Sequence, residues 1–360
     1  MAENGVTEHK ILIGQSAAFS GPAAQLGIQY SAGAQAYFDH VNSIGGVFGR
    51  KIELITKDDQ YEPDLAAANT RNLIDKEQVF ALFGYVGTPT SNAVLPLIAQ
   101  AKVPFFAPYS GAQSLREPFN RQIFHIRASY TDEAEHLVSR LANNGVKQIA
   151  VFYQNDAFGK SGLAAVDASL KKWNLTLVET ATVERNSTDV AQAAVRLMAK
   201  KPDVVIQISA YTSSAALIRE MHKYGYTGMF YNVSFVGSQA LADMLGKEGL
   251  GVVISQVVPF PWSSGMMPVV AEYMKVMNKA GIKAYNFSSL EGFIAAKVLV
   301  EGLRRTGQNL TRERLIQALE TVNAKNYDVG GFNISFSPNN HNGSHYVDMT
   351  VISKDGKFRD

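Results

Sequence analysis

Hydroxyl, glycine and aromatic residues gather at six points where an apolar run gives way to a helix-like pattern: "SAAFSGP", "YVGTPTS", "APYSGA", "QNDAFG", "ISAYTSS" and "NVSFVGS". A strand running into a helix brings unpaired backbone N–H groups and hydroxyls to one point, and that point favours an anion or a carboxylate. Phe19, Tyr85, Tyr109, Phe158, Tyr211 and Phe235 accompany these turns. A tyrosine offers an apolar wall with one hydrogen bond, which suits a small organic ligand. Capping or plugging of a sheet edge would explain any one of these turns or rings, but six in one register exceed what capping needs. Other chemistries find less support. "QNDAFGKS" mimics the end of a phosphate-binding loop, yet Gln154 stands where its first glycine belongs, and Gly45, Gly46 and Gly49 follow a helix rather than a strand. No G-x-S-x-G elbow or H-E-x-x-H pair occurs, and His341 and His345 in "NNHNGSHY" read as an exposed loop. Asp58 and Asp59 have no evident apolar setting that would raise a pKa. No catalytic residue, metal site or cofactor is expected.

These turns need a framework. Short β-branched or apolar runs, "KILIGQS", "KIELITK", "VFALFG", "VPFFAP", "KQIAVFY", "LTLVETA", "DVVIQIS", "GMFYN" and "VVISQVV", mostly have helical patterns between them. Helices are predicted over Ala23 to Val41 and Leu65 to Lys76, and another in "SYTDEAEHLVSRLANNGVK", capped by Thr131 and closed by Gly145. A second βαβ series starts at Lys147, so the fold class is α/β with two doubly wound parallel-sheet lobes, and ligands in such sheets bind beyond the carboxyl ends of the strands. The length of 360 residues, with 46% hydrophobic and 18% charged, allows two cores. A net charge of +2 with no basic block argues against nucleic acid, and zero cysteines exclude disulfides and thiol catalysis. No apolar run reaches the roughly 18 to 20 residues of a membrane span.

Taken in order, "IGQSAAFSGPAAQLG", "FDHVNSIGGVFGRKIELITKDDQYEP", the G-x5-T turn before "VPFFAPYSGA", and "YQNDAFGKSG" resemble type I periplasmic binding proteins of the leucine/isoleucine/valine-binding branch, which serve ABC transporters. The resemblance covers essentially the whole chain. It implies two lobes joined by crossovers near Phe124 to Arg127, Ser255 to Pro259 and Phe332 to Pro338, with the first lobe over 1–125 and 257–336 and the second over 126–256 and 337–360. It implies that a ligand carboxylate is held at Thr88 and at the turn Tyr109, Ser110 and Gly111, while Phe158 and Tyr211 reach the ligand from the second lobe on closure. Ser234 stands where amino-acid-binding members place an acid against the ligand ammonium, with Phe235 beside it. Because a buried ammonium without a carboxylate is costly, the expectation leans to an organic or aromatic acid over leucine, with Asp156 and Glu291 as substitute acids. Leu26 replaces an aromatic that some relatives present to the ligand, and Tyr61 and Gly87 fall at the family's disulfide positions.

The implied function is that of a monomeric, non-enzymatic periplasmic receptor, exported with its signal peptide removed, that delivers a small carboxylate-bearing ligand to the membrane permease of an ABC transporter. A ligand-sensing regulator of the same fold is the alternative, with branched-chain amino acids as the alternative ligand class.

Overall fold

The computed structural model describes residues 3–263, 265 and 267–359. The chain divides into two compact units, each discontinuous in sequence. Unit 1 takes the chain up to Ser110, Ser114–Arg127 and Val258–His345; unit 2 takes Gly111–Gln113, Ala128–Val257 and the chain from Tyr346 onward.

Unit 1 begins with β1 (Lys10–Ala17), α1 (Ala24–Ser43), β2 (Lys51–Asp58), α2 (Pro63–Asp75), β3 (Ala81–Phe83), α3 (Thr88–Ala101), β4 (Phe105–Phe106) and β5 (Ile123–Phe124). All strand pairs are parallel, in the order β2-β1-β3-β4-β5. Strands covered by helices on both faces carry near-continuous apolar runs, as Ala81–Phe83 and Phe105–Phe106 do.

Unit 2 continues with α4 (Tyr130–Asn143), β6 (Ile149–Gln154), α5 (Ala157–Lys172), β7 (Glu179–Val183), α6 (Ala191–Met198), β8 (Val204–Ile208), α7 (Tyr211–Lys223), β9 (Met229–Asn232), α8 (Ser238–Leu245) and β10 (Val253–Gln256). The chain then returns to unit 1 for α9 (Pro268–Lys279), α10 (Phe287–Thr306) and α11 (Arg312–Glu320), and ends in unit 2 with β11 (Asp348–Ile352) and β12 (Phe358–Arg359). The sheet of unit 2 has the order β12-β11-β10-β9-β8-β6-β7, parallel except at β11 and β12.

The structure departs from the sequence expectations in several places. The last passage between units falls at His345 and Tyr346, later than the expected 336–337. Backbone bonds hold the intervening segment in unit 1: Phe336 N donates to Val322 O, Gly343 N to His125 O, and His125 N to His341 O. His341 is therefore buried rather than exposed, its ring stacked 3.7 Å from that of Phe124 and its Nδ1 2.9 Å from Ile123 O; His345 is exposed, as expected. The cap of α4 is Ser129, not Thr131. Its hydroxyl accepts from Asp132 N and its N–H donates to the Asp132 carboxylate, a reciprocal box that starts the helix at Tyr130. The strand expected in "LTLVETA" lies later, at Glu179–Val183, where its single neighbour β6 fixes the register.

Packing of α1 on α10 closes unit 1. The helices touch backbone to backbone at Gly33, where an added Cβ would lie 1.7 Å from Ser289 O. Gly33→Ala must therefore push the helices apart; unfolding in urea should show a loss of about 1–3 kcal/mol, as overpacking typically costs. An unchanged midpoint would mean that the crossing is not tight.

Candidate functional site

In unit 1 the turn Gly84–Gly87 leads from β3 into α3, beside the turn that follows β4. Tyr109 N donates to Tyr85 O and Gly87 N to Tyr109 O, so the two turns are paired along the backbone. Gly87 takes φ 99°, and a Cβ there would lie 2.2 Å from Cε2 of Tyr61. These two positions, where the family resemblance places a disulfide, are thus joined by a ring lying on a glycine. From this platform Thr88 opens α3, whose start has no side-chain cap. Thr88 Oγ1 and Ser110 Oγ lie 2.8 Å apart, both residues fully buried. In the same first turn Ser91 Oγ is buried and has no hydrogen-bond partner among the described residues. Hydroxyls at an uncapped helix start suit a carboxylate chemically; since Thr88 and Ser110 share one proton between their oxygens, at most one hydroxyl of the pair turns toward the anion while that bond is kept.

Below this turn lies a charged support that sequence reading missed. Arg127 and Glu291 form an ion pair (Nε–Oε1 3.0 Å, Nη2–Oε2 3.2 Å) with both side chains almost wholly buried. The Arg127 guanidinium stacks 4.3 Å from the ring centre of Tyr109, whose hydroxyl lies 2.9 Å from Ser288 Oγ. Tyr30 packs edge-on against Tyr109 and donates to Ala107 O. Burial, joined by the charge of Glu291, holds the Tyr30 hydroxyl well above the ordinary tyrosine pKa. The side chain of Tyr109 therefore supports the turn, while its backbone shapes it.

Other expected residues lie elsewhere. Tyr85 packs in the core of unit 1: it is fully buried with Leu73, Val94, Ile98 and Phe105, and its hydroxyl meets Thr70 Oγ1 at 2.8 Å. Leu26 is fully buried in α1. Phe19, partly exposed after β1, donates its N–H to Asp58. The neighbouring Asp59 corrects the reading that neither aspartate has an apolar setting. It is fully buried, and burial pushes its carboxyl up to about 7 despite hydrogen bonds from Ser16 and from the Tyr61 N–H, with the charges of Asp58 and Glu62 adding to the rise.

In unit 2, Gly111 O accepts from Tyr130 N, and Tyr130, Phe158 and Phe235 form a run of rings with centroids 5.4 and 4.5 Å apart. Phe158 and Phe235 are fully buried; Tyr211 is buried at the first position of α7, next to Thr212, whose Oγ1 is buried without a partner among the described residues. Of the substitute acids, Asp156 caps α5 through the N–H groups of Phe158 and Gly159 and meets Arg185, and Glu291 is held by Arg127. Ser234 instead faces Glu133, in the first turn of α4.

Both units are α/β with small-residue turns at the ends of their parallel strands, the arrangement in which such sheets bind ligands. The chain belongs to the periplasmic binding protein family, whose model matches residues 10–357. Its fold is shared, at a TM-score of 0.93 and 32% identity over 98% of this chain and 97% of the other, by a possible leucine/isoleucine/valine-binding protein from Rhodopirellula baltica SH 1. A substrate-binding periplasmic protein from Ralstonia solanacearum aligns with a TM-score of 0.90 and 31% identity, covering 97% of this chain and 99% of the other. Leu/Ile/Val-binding protein homolog 7 of Brucella suis biovar 1 is 24% identical over 97% of this chain and 90% of its own length. The protein is thus a solute-binding protein of the leucine/isoleucine/valine-binding type, and no helix among the described residues is long and apolar enough to cross a membrane.

Two consequences are measurable. Arg127→Met leaves Glu291 buried without its partner and should cost about 3–5 kcal/mol in urea unfolding, with much of the loss recovered by adding Glu291→Leu; a near-neutral single variant would show the pair to be dispensable. For Asp59 the folded pKa lies above the unfolded one, so the native state binds the extra proton. Its stability contribution is complete below about 4, and it falls as pH rises toward about 7. Asp59→Asn should therefore gain stability relative to the parent between pH 4 and 7.5, and a pH-independent difference would reject the shift.

Proposed function

We propose that the protein captures a small carboxylate-bearing solute, an organic or aromatic acid or an amino-acid-like compound, by lobe closure in the periplasm and hands it to an ABC transporter without chemical conversion. The observation that carries this reading is the buried hydroxyl pair of Thr88 and Ser110 at the uncapped start of α3. Its weight comes from its setting: the turn is held by backbone pairing and by the Tyr109 stack, so the donors are arranged before a ligand arrives and little ordering cost remains at binding. Membership in a family of binding proteins, and relatives named for binding rather than catalysis, support the non-enzymatic part.

Calorimetric titration with branched-chain amino acids, aromatic acids and short aliphatic acids tests it. At least one carboxylate should bind with micromolar or tighter affinity. Thr88→Ala should weaken that binding by about 1–3 kcal/mol, the cost of losing a hydrogen bond to a charged group, with an unchanged melting temperature. Unaltered affinity would remove Thr88 from the site.

A further inference from the structure

Unit 1 has a second concave surface, at the other end of its strands from the turns that carry Thr88 and Ser110. Those turns follow the carboxyl ends of β3 and β4, whereas a cleft of about 660 Å³ is walled by residues that lead into β1 and β2. Thr7 and Glu8 come from the segment before β1, Arg50 from the turn before β2, and 308–311 from the loop between α10 and α11. Sites for small molecules fall in the range of roughly 300–1,000 Å³.

The donors of this cleft outnumber the acceptors it offers them. Arg50 donates from Nε to Thr7 O at 2.7 Å and from Nη1 to Gln308 O at 3.2 Å. Two backbone carbonyls thus fix the guanidinium plane and leave three of its five N–H bonds to other acceptors. No carboxylate pairs with Arg50 among the described residues. Thr7 Oγ1 accepts from His9 N at 3.2 Å and from Lys10 N at 3.0 Å, so both its lone pairs are filled and its own proton is left to give. Across the cleft, Arg314 Nη1 holds Asn309 O of the loop. The acids count for less. Glu3 is committed to Arg312, whose N–H reaches Oε2 at 3.2 Å and whose Nε lies 4.0 Å from Oε1. Glu8 is exposed, where water and salt screen its charge. A fixed guanidinium fork beside a hydroxyl that only donates calls for an anion with at least three acceptor oxygens. A carboxylate has two, which the fork itself takes up; a phosphate group has enough for both.

We propose that the cleft between Thr7, Arg50 and the loop 308–311 is a second binding site, which takes a phosphate group carried either by a small soluble molecule or by a lipid headgroup. Arg50 meets two of the phosphate oxygens and Thr7 a third. The inference goes beyond carboxylate capture and does not rest on it, because the two sets of residues lie at opposite ends of the same parallel strands. Since Arg50 is already held by two carbonyls, little ordering remains when the anion arrives.

The test is calorimetric titration of the full chain with inorganic phosphate and with glycerol 3-phosphate in a phosphate-free buffer of low salt, joined to co-sedimentation with phosphatidylglycerol vesicles against phosphatidylcholine vesicles. At least one of these probes should bind saturably. In amide NMR spectra recorded with the soluble probes, shifts should gather at 7–10, 50 and 308–311 and spare 84–88 and 108–111. Arg50→Gln should weaken binding about tenfold or more, and Arg50→Lys, which keeps the charge and loses the fork, should recover only part of it. Lys51→Gln, which removes the exposed charge next along the chain, should leave binding unchanged. Should Arg50→Gln fail to fold, the comparison of Arg50→Lys with Lys51→Gln decides. Arg50-dependent retention on phosphatidylglycerol assigns the phosphate to a lipid headgroup; binding of the soluble probes without retention assigns it to a small solute. Binding of none of the probes, an equal loss in the Arg50 and Lys51 variants, or shifts centred on 84–88 overturns the inference and leaves carboxylate capture standing.

Discussion

The buried ion pair of Arg127 and Glu291 is the constraint on which the turn before α3 of unit 1 depends. Two charges removed from water are tolerated only when each neutralises the other at close range. Meeting that condition ties the segment ending at Arg127 to α10, which arrives more than a hundred residues later along the chain. The guanidinium then serves as a floor for Tyr109, Tyr109 pairs along its backbone with the turn before α3, and that turn presents Thr88 to Ser110. A discontinuous chain thereby builds one rigid support from segments far apart in sequence.

A comparable economy governs the polar groups of unit 2. Glu133 has no exposed surface, so its carboxylate needs donors in fixed places, and two serines with one backbone N–H provide them. Satisfying the acid also dictates which way each hydroxyl points. The bonds that make burial of the acid tolerable thus also fix the orientation of the groups around it.

The absence of a disulfide is met by packing. Tyr61 is fully buried with its ring against Gly87, a contact that only a residue without Cβ allows, and Gly87 is also the residue that releases the chain into α3. The nearby Asp59 is held by Ser16 and the Tyr61 N–H, while its burial raises the carboxyl pKa against the effect of those bonds.

Much of this was legible in the sequence because it is local. Alternation of apolar runs with helical periodicity placed β1 to β4, β6 and β8 to β10, and the change from strand to small-residue turn to helix marked Thr88 and Ser110. Short or edge elements escaped, among them β5, β11 and β12, since a two-residue strand or an antiparallel end has no periodicity of its own and exists only through its partner. Side-chain roles were legible least. Tyr85 and Tyr109 look alike beside their turns, yet one belongs to the core and the other lies on an arginine; Ser234 looked like a lost acid until Glu133 stood behind it. The sequence by itself determined the α/β class, the family resemblance and the turns at the strand ends, because these follow from residue type and short-range spacing. Only the tertiary structure decided which charges pair, which rings are core and which way a hydroxyl points, because those depend on distances between residues far beyond one turn of helix or one strand apart, in the case of Arg127 with Glu291 and of Ser234 with Glu133 more than a hundred positions.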